Sequence, residues 1–156
     1  MGDISIRAGD ISIRAWITPA PPTIGPKESL KRARAMIRAA NVAELLVIDR
    51  GKLVGTVSER DIWERCPIST MLMDDKRAEE LLEQFRVGGV MALHPLVIRP
   101  EASLSDAAKL FAECGRSGLP VVEDGAPVGF LTEASVMQAV AMLLGQKSSG
   151  TKNEES

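Results

Sequence analysis

A displacement of 74 positions lays the chain over itself without a gap from residue 16 to residue 63: Pro21 falls on Pro95 and Pro26 on Pro100. Ile24 falls on Ile98, and Ser29-Leu30 on Ser103-Leu104. Further along, Leu45 meets Leu119, Gly51 meets Gly125, Val54-Gly55 meets Val128-Gly129, and Glu59 meets Glu133. Glycines, prolines and helix starts held in register over this length mean that one unit occurs twice. Alone, a unit of roughly 55 residues buries little apolar surface. The repeat therefore predicts two copies that share a core.

Each copy reads as strand, helix, strand, strand, helix. A short extended run, Pro22-Thr-Ile-Gly-Pro26 or Leu96-Val-Ile-Arg-Pro100, closes on a proline that cannot donate to a ladder. Ser29 and Ser103 follow as helix N-caps. Behind them Leu30, Ala33, Ile37 and Ala40 recur at helical spacing, as do Leu104, Ala107, Phe111 and Cys114. Two strands come next, ELLVIDR with KLVGTVS and LPVVED with PVGFLT, joined by the turns Asp49-Arg50-Gly51-Lys52 and Glu123-Asp124-Gly125-Ala126. A second helix opens at Glu59 or Glu133.

The expected organisation is a first repeat over 16–66, a linker with a short helix over 67–89, a second repeat over 90–146, and a disordered tail over 147–156. Ahead of the repeats, GDISIRA occurs twice, at 2–8 and 9–15. Gly9-Asp10 could close a hairpin between the copies; the segment 1–15 is expected to be peripheral.

Several function classes are set aside by composition. Nineteen basic residues against 21 acidic ones leave a net charge of -2, without the excess that nucleic-acid binding requires. The basic run Lys31-Arg32-Ala33-Arg34 with Arg38 reads as a solvated helix face. The apolar stretch 136–144 falls far short of the ~20 residues that cross a bilayer. No secretory leader is evident, so a cytoplasmic protein is expected. Two cysteines and one histidine support neither a disulfide scaffold nor a metal site. No nucleophile elbow, P-loop lysine or triad stands out, and no enzyme or catalytic cofactor is expected. The methionines, Met71 and Met73 among them, read as core or interface filler.

The two copies part at one chemically loaded place. GTVSERDI (55–62) is echoed by GFLTEASV (129–136), and Asp61 becomes Ser135. Ser58 and Thr132 each stand where a strand ends and a helix begins. Under one reading both are N-caps, and Asp61 gains from the helix dipole. Under the other, the hydroxyl and the helix start meet a phosphate, and the carboxylate accepts from both ribose hydroxyls.

These elements resemble a tandem pair of CBS domains, a Bateman module. WITPAPPTIGPKESL, VMALHPLVIRPEASL, SGLPVVEDGAPVGFLT and LVGTVSERDI carry the likeness, which covers residues 16–144. The resemblance implies a mixed α/β fold of two βαββα repeats related by a pseudo-twofold axis, with two clefts for adenosine nucleotides. It assigns Val57, Ser58, Arg60 and Asp61 of the first repeat to one cleft, with Leu93, His94, Leu96 and Arg116-Ser117-Gly118-Leu119-Pro120 of the second. Ser58 and Arg60 would meet phosphate, Asp61 the ribose, and the second-repeat residues the adenine. The opposite cleft is expected to be retired: Ser135 replaces the carboxylate, Leu46 stands for Pro120, and Ala43-Glu44 replaces Ser117-Gly118. A half-buried Glu44 would repel phosphate.

The expected function is a regulatory module that binds AMP, ADP or ATP, with S-adenosylmethionine as a further candidate, and acts on a partner protein. The alternative is a constitutive homodimerisation scaffold without a ligand, using the apolar faces of DIW and SVMQAVAMLL.

Overall fold

The computed structural model describes residues 11–66 and 74–155. The first GDISIRA copy, the Gly9-Asp10 hairpin, Met71 and Met73 lie outside the described residues. The chain divides into two units. One comprises Ala20–Leu96 with Asp124–Pro127; the other comprises the residues up to Pro19, Val97–Glu123 and the chain from Val128 onward.

In the first unit, β1 (Thr23–Ile24), α1 (Leu30–Ala40), β2 (Glu44–Asp49), β3 (Lys52–Ser58) and α2 (Glu59–Arg65) follow the expected order. They are joined by α3 (Asp75–Leu82) and β4 (Ala92–Leu93). Ser29 caps α1 by accepting from the Arg32 N–H at 3.1 Å. The helix ends on Asn41 in the left-handed region. The sheet runs β1-β2-β3-β4, with β1 parallel to β2 and the other pairs antiparallel. Arg50 and Gly51 both take positive φ, as a type I′ hairpin requires.

The second unit repeats the plan with α4 (Leu104–Cys114), β5 (Gly118–Glu123), β6 (Ala126–Thr132) and α5 (Glu133–Glu155). Ser103 caps α4, Gly115 ends it, and Asp124-Gly125 forms the matching turn. The outer strand positions are reduced to single bridges, Ile98 to Val121 in parallel and Thr18 to Phe130 antiparallel. Nearly the same core is built twice. Leu30, Ala33, Leu45, Val47, Val57 and Ile62 in one unit match Leu104, Ala107, Leu119, Val121, Leu131 and Val136 in the other.

The repeat extends further upstream than the sequence match. Ahead of β4, the first unit takes in Phe85 and Val87: the Leu30 N–H donates to Phe85 O at 3.0 Å, and the Val87 N–H to Glu28 O at 2.9 Å. The second unit uses Ile11 and Ile13 at the equivalent places. The Leu104 N–H donates to Ile11 O and the Ile13 N–H to Ala102 O, both at 2.9 Å. Ile13 is fully buried. The second GDISIRA copy is thus partly core, where a peripheral segment was expected. Ile11 and Ile13 share hydrophobic character with Phe85 and Val87, but no identity that a self-alignment would register.

Two further expectations are corrected. Arg34 is buried, stacked 5.0 Å from the Trp63 ring and paired with Glu59 at 3.5 Å, while Lys31, Arg32 and Arg38 remain exposed. A guanidinium can be taken into a helix interface when an aromatic face and a carboxylate receive it. Helix α5 continues to Glu155, past the tail expected from residue 147. No proline interrupts it there, and lysine and glutamate are adequate helix formers.

Candidate functional site

The candidate site is built on the junction between β3 and α2. Ser58 ends the strand with extended backbone, and its hydroxyl accepts from the Asp61 N–H at 3.1 Å. Asp61 returns the contact: its Oδ2 accepts from the Ser58 N–H and the Ser58 hydroxyl, both at 2.9 Å. This is a two-way capping box. The capping reading of these residues is therefore realised. It does not exhaust the carboxylate, which offers about four acceptor positions. Asp61 Oδ1 receives no hydrogen bond among the described residues; the nearest charge is Arg65 Nε at 3.9 Å.

Arg60, expected to meet phosphate, points into solvent with its side chain 83% exposed. It binds Glu64 one turn along at 2.8 Å. That hydrogen bond, followed by the charge of the same carboxylate, raises the guanidinium pKa above its ordinary value. Val57 is fully buried in the core, so only its backbone can face a ligand.

β4 lies against β3, with Leu93 paired to Gly55 and Ala92 to Thr56. The approach requires a glycine: a Cβ at Gly55 would stand 2.7 Å from Ala92 O and 2.9 Å from Met91 Sδ. Leu93 is 61% exposed and Leu96 37% exposed, which are large apolar side chains left open to solvent. His94, between them, is exposed and holds a φ of 54° directly before Pro95. A residue in that place normally prefers extended backbone, so this is a strained position among candidate binding residues.

The structure thus brings Val57, Ser58, Arg60, Asp61, Leu93, His94 and Leu96 into one unit and places Arg116 to Pro120 in the other. There Arg116 and Ser117 are exposed, and Leu119 and Pro120 are buried. The Ser117 carbonyl accepts from the Glu133 N–H at 2.9 Å, at the start of α5. Gly118 carries the Phe130 ring where its Cβ would be, at 2.3 Å. Glu44, assigned by sequence to the opposite cleft, stands across the β2–β3 ladder from Ser58. The Arg50-Gly51 turn starts this register, and a one-residue shift of the ladder between Val47 and Ile48 brings Glu44 opposite Ser58 rather than Val57.

At the equivalent β6–α5 junction, the Thr132 and Ser135 hydroxyls lie 2.8 Å apart, and the Ser135 N–H donates to Thr132 Oγ1 at 3.0 Å. Ser135 is buried, and its hydroxyl and N–H are both engaged with Thr132. Two features escaped the sequence reading: the Arg65 guanidinium beside Asp61, and its hydrogen bond to Met91 O at 3.2 Å. An Asp at i with an Arg at i+4 was the available signal. Of the helix faces expected to mediate dimerisation, Ile62 and Val136 are core, whereas Met137, Met142 and Leu144 are exposed. Among the described residues no helix is long and apolar enough to cross a membrane, and no group of His, Cys, Asp or Glu is placed to hold a metal.

Comparison with known proteins agrees with this plan. An uncharacterized protein of Methanocaldococcus jannaschii is 30% identical over 138 residues, covering 86% of this chain and 33% of that protein. The chain thus spans about a third of that relative's length. The chloroplastic CBS domain-containing protein CBSX2 of Arabidopsis thaliana is 29% identical over 161 residues, covering 90% of this chain and 68% of that protein. The solved structure of CBSX2 in complex with AMP superposes with a TM-score of 0.67, covering 85% of this chain and 98% of that one at 29% identity. The CBS domain family model matches residues 8–62 and again 87–142; both matches begin ahead of the repeats expected from sequence, the first taking in Ile11 and Ile13 and the second starting at Val87. The chain belongs to the CBS domain family and carries two CBS repeats.

Proposed function

We propose that this chain is a regulatory module that binds an adenine nucleotide (AMP, ADP or ATP) at the Ser58–Asp61 junction and thereby alters the behaviour of a partner protein. The observation that carries the reading is the Asp61 carboxylate. It is held by its own capping box through Oδ2, while Oδ1 takes no hydrogen bond among the described residues. A pre-positioned carboxylate oxygen suits a pair of ribose hydroxyls, since little freedom is lost when they bind. The exposed Leu93 and Leu96 side chains supply apolar surface for the base, with His94 between them. The AMP complex of CBSX2, a relative with the same two repeats, supports the choice of ligand class.

In this reading Arg60 must leave Glu64 to meet a phosphate. Both side chains are exposed, so the exchange costs little. The proposal involves no catalytic step. The ligand acts by differential affinity for conformations that the partner distinguishes. A second reading, a dimerisation scaffold without ligand, draws on the exposed Met137, Met142 and Leu144 of α5.

Calorimetric titration with AMP separates the two. Binding to the wild type is expected, and Asp61→Ala should weaken it about tenfold to a hundredfold, the loss of one charge-assisted hydrogen-bond set. Ser135→Ala should change little. Equal affinity in wild type and Asp61→Ala refutes the site, and no binding of any nucleotide by the wild type favours the scaffold.

A further inference from the structure

Arg65 joins two parts of the proposed site that the sequence keeps well apart. Its Nε lies 3.9 Å from Asp61 Oδ1, and its Nη1 donates to the Met91 carbonyl at 3.2 Å. Met91 opens the segment that continues through β4 to Leu93, His94 and Leu96. One guanidinium therefore touches the carboxylate proposed for the ribose and the backbone that leads to the residues proposed for the base.

Its fork geometry matters, because a planar group with several fixed N–H vectors can serve two acceptors at once. The second repeat has no such device. The residue equivalent to Arg65 is Ala139, which is fully buried in the core, and the carboxylate partner is replaced by Ser135. Both ends of the bridge are confined to the first unit. Asp61 is held on its other oxygen by Ser58, and β4 is drawn against β3 at Gly55.

From this geometry we infer that Arg65 is a positioning residue, which couples the orientation of the Asp61 carboxylate to the placement of the Met91–Leu96 segment. It steadies Oδ1 while the capping box holds Oδ2. When ribose hydroxyls engage that oxygen, the guanidinium transmits any shift of the carboxylate to β4. The inference rests on the nucleotide reading above, and its signature is sugar discrimination rather than affinity alone.

The experiment titrates AMP and 2′-deoxy-AMP into wild type, Arg65→Ala and Arg65→Lys, and follows amide hydrogen exchange at Ala92 and Leu93 in the ligand-free proteins. Arg65→Ala should weaken AMP about five- to tenfold and 2′-deoxy-AMP less than about threefold, so that the preference for the ribose shrinks. Arg65→Lys, which carries the charge without the fork, should fall between. Exchange at Ala92 and Leu93 should quicken in Arg65→Ala while the melting temperature stays near that of wild type. If wild type prefers AMP and Arg65→Ala keeps both that preference and the slow exchange, the positioning role is refuted and the nucleotide reading stands. If wild type binds neither nucleotide, the nucleotide reading itself fails.

Discussion

The β3–α2 and β6–α5 junctions begin from the same backbone plan and end in different chemistry. Each has a hydroxyl N-cap at the last strand residue, a glutamate next, and a polar side chain three residues after the cap. At the first, that side chain is Asp61, which closes a reciprocal box with one oxygen and, among the described residues, takes no hydrogen bond on the other. At the second, it is buried Ser135, whose hydroxyl is engaged with that of half-buried Thr132. Capping demands only a hydroxyl and a turn of helix, and both junctions meet it. Ligand chemistry of the proposed kind demands a charged acceptor left over after capping, which the first junction has in Asp61 and the second, with Ser135, does not. Duplication preserved the structural requirement in both places and the chemical surplus in one.

The largest expected effects test whether the two units remain equivalent as folds. Gly55 and Gly129 face the same problem: a Cβ would lie 2.7 Å from Ala92 O in one and 2.9 Å from Thr18 O in the other. Alanine at either site should therefore destabilise by about 1–3 kcal/mol, read from chemical denaturation. A large cost at Gly55 with none at Gly129 would break the equivalence, since Thr18 meets Phe130 through a single bridge.

The caps come next in size. Ser58→Ala removes the hydroxyl that accepts from the Asp61 N–H and donates to Asp61 Oδ2, leaving only the return bond from the residue-58 N–H, and should cost about 1–2 kcal/mol, whereas Thr132→Ala removes a one-way cap and should cost about 1 kcal/mol. Equal costs measured by thermal unfolding would show that the carboxylate adds nothing to the fold. The smallest effect concerns Glu44, cross-strand from Ser58. Glu44→Gln should raise AMP affinity about two- to threefold while leaving adenosine unchanged, since only the phosphate carries charge. A change of equal size for both ligands would place Glu44 away from the phosphate.

Much of the fold was legible because local chemistry and the repeat pointed the same way. Ser29 and Ser103 cap helices, Arg50-Gly51 and Asp124-Gly125 make matching turns, and the periodic apolar residues form matching cores. Ile11 and Ile13 were missed because packing asks for hydrophobic volume and a backbone hydrogen bond, neither of which leaves an identity to align. Arg34 was misjudged for a related reason. A basic run reads as a wet face, and only the tertiary placement of Trp63 and Glu59 makes burial tolerable. At the candidate site, Ser58 and Asp61 stood out through their contrast with Thr132 and Ser135. The Arg65 bridge was illegible, since its acceptor is a main-chain carbonyl 26 residues away with no side-chain signature.

The crossed lead-in segments carry a consequence for how such a chain can be divided. Phe85 and Val87 complete the half that precedes them, while Ile11 and Ile13 complete the half that lies far downstream. Scissors applied at the borders of the repeated text would leave each fragment with an empty berth in its interior and a greasy segment with nowhere to go. The copied string and the folding block are out of step: a cut at the repeat borders divides both interiors, whereas the stretch Ala20–Leu96 keeps one of them entire.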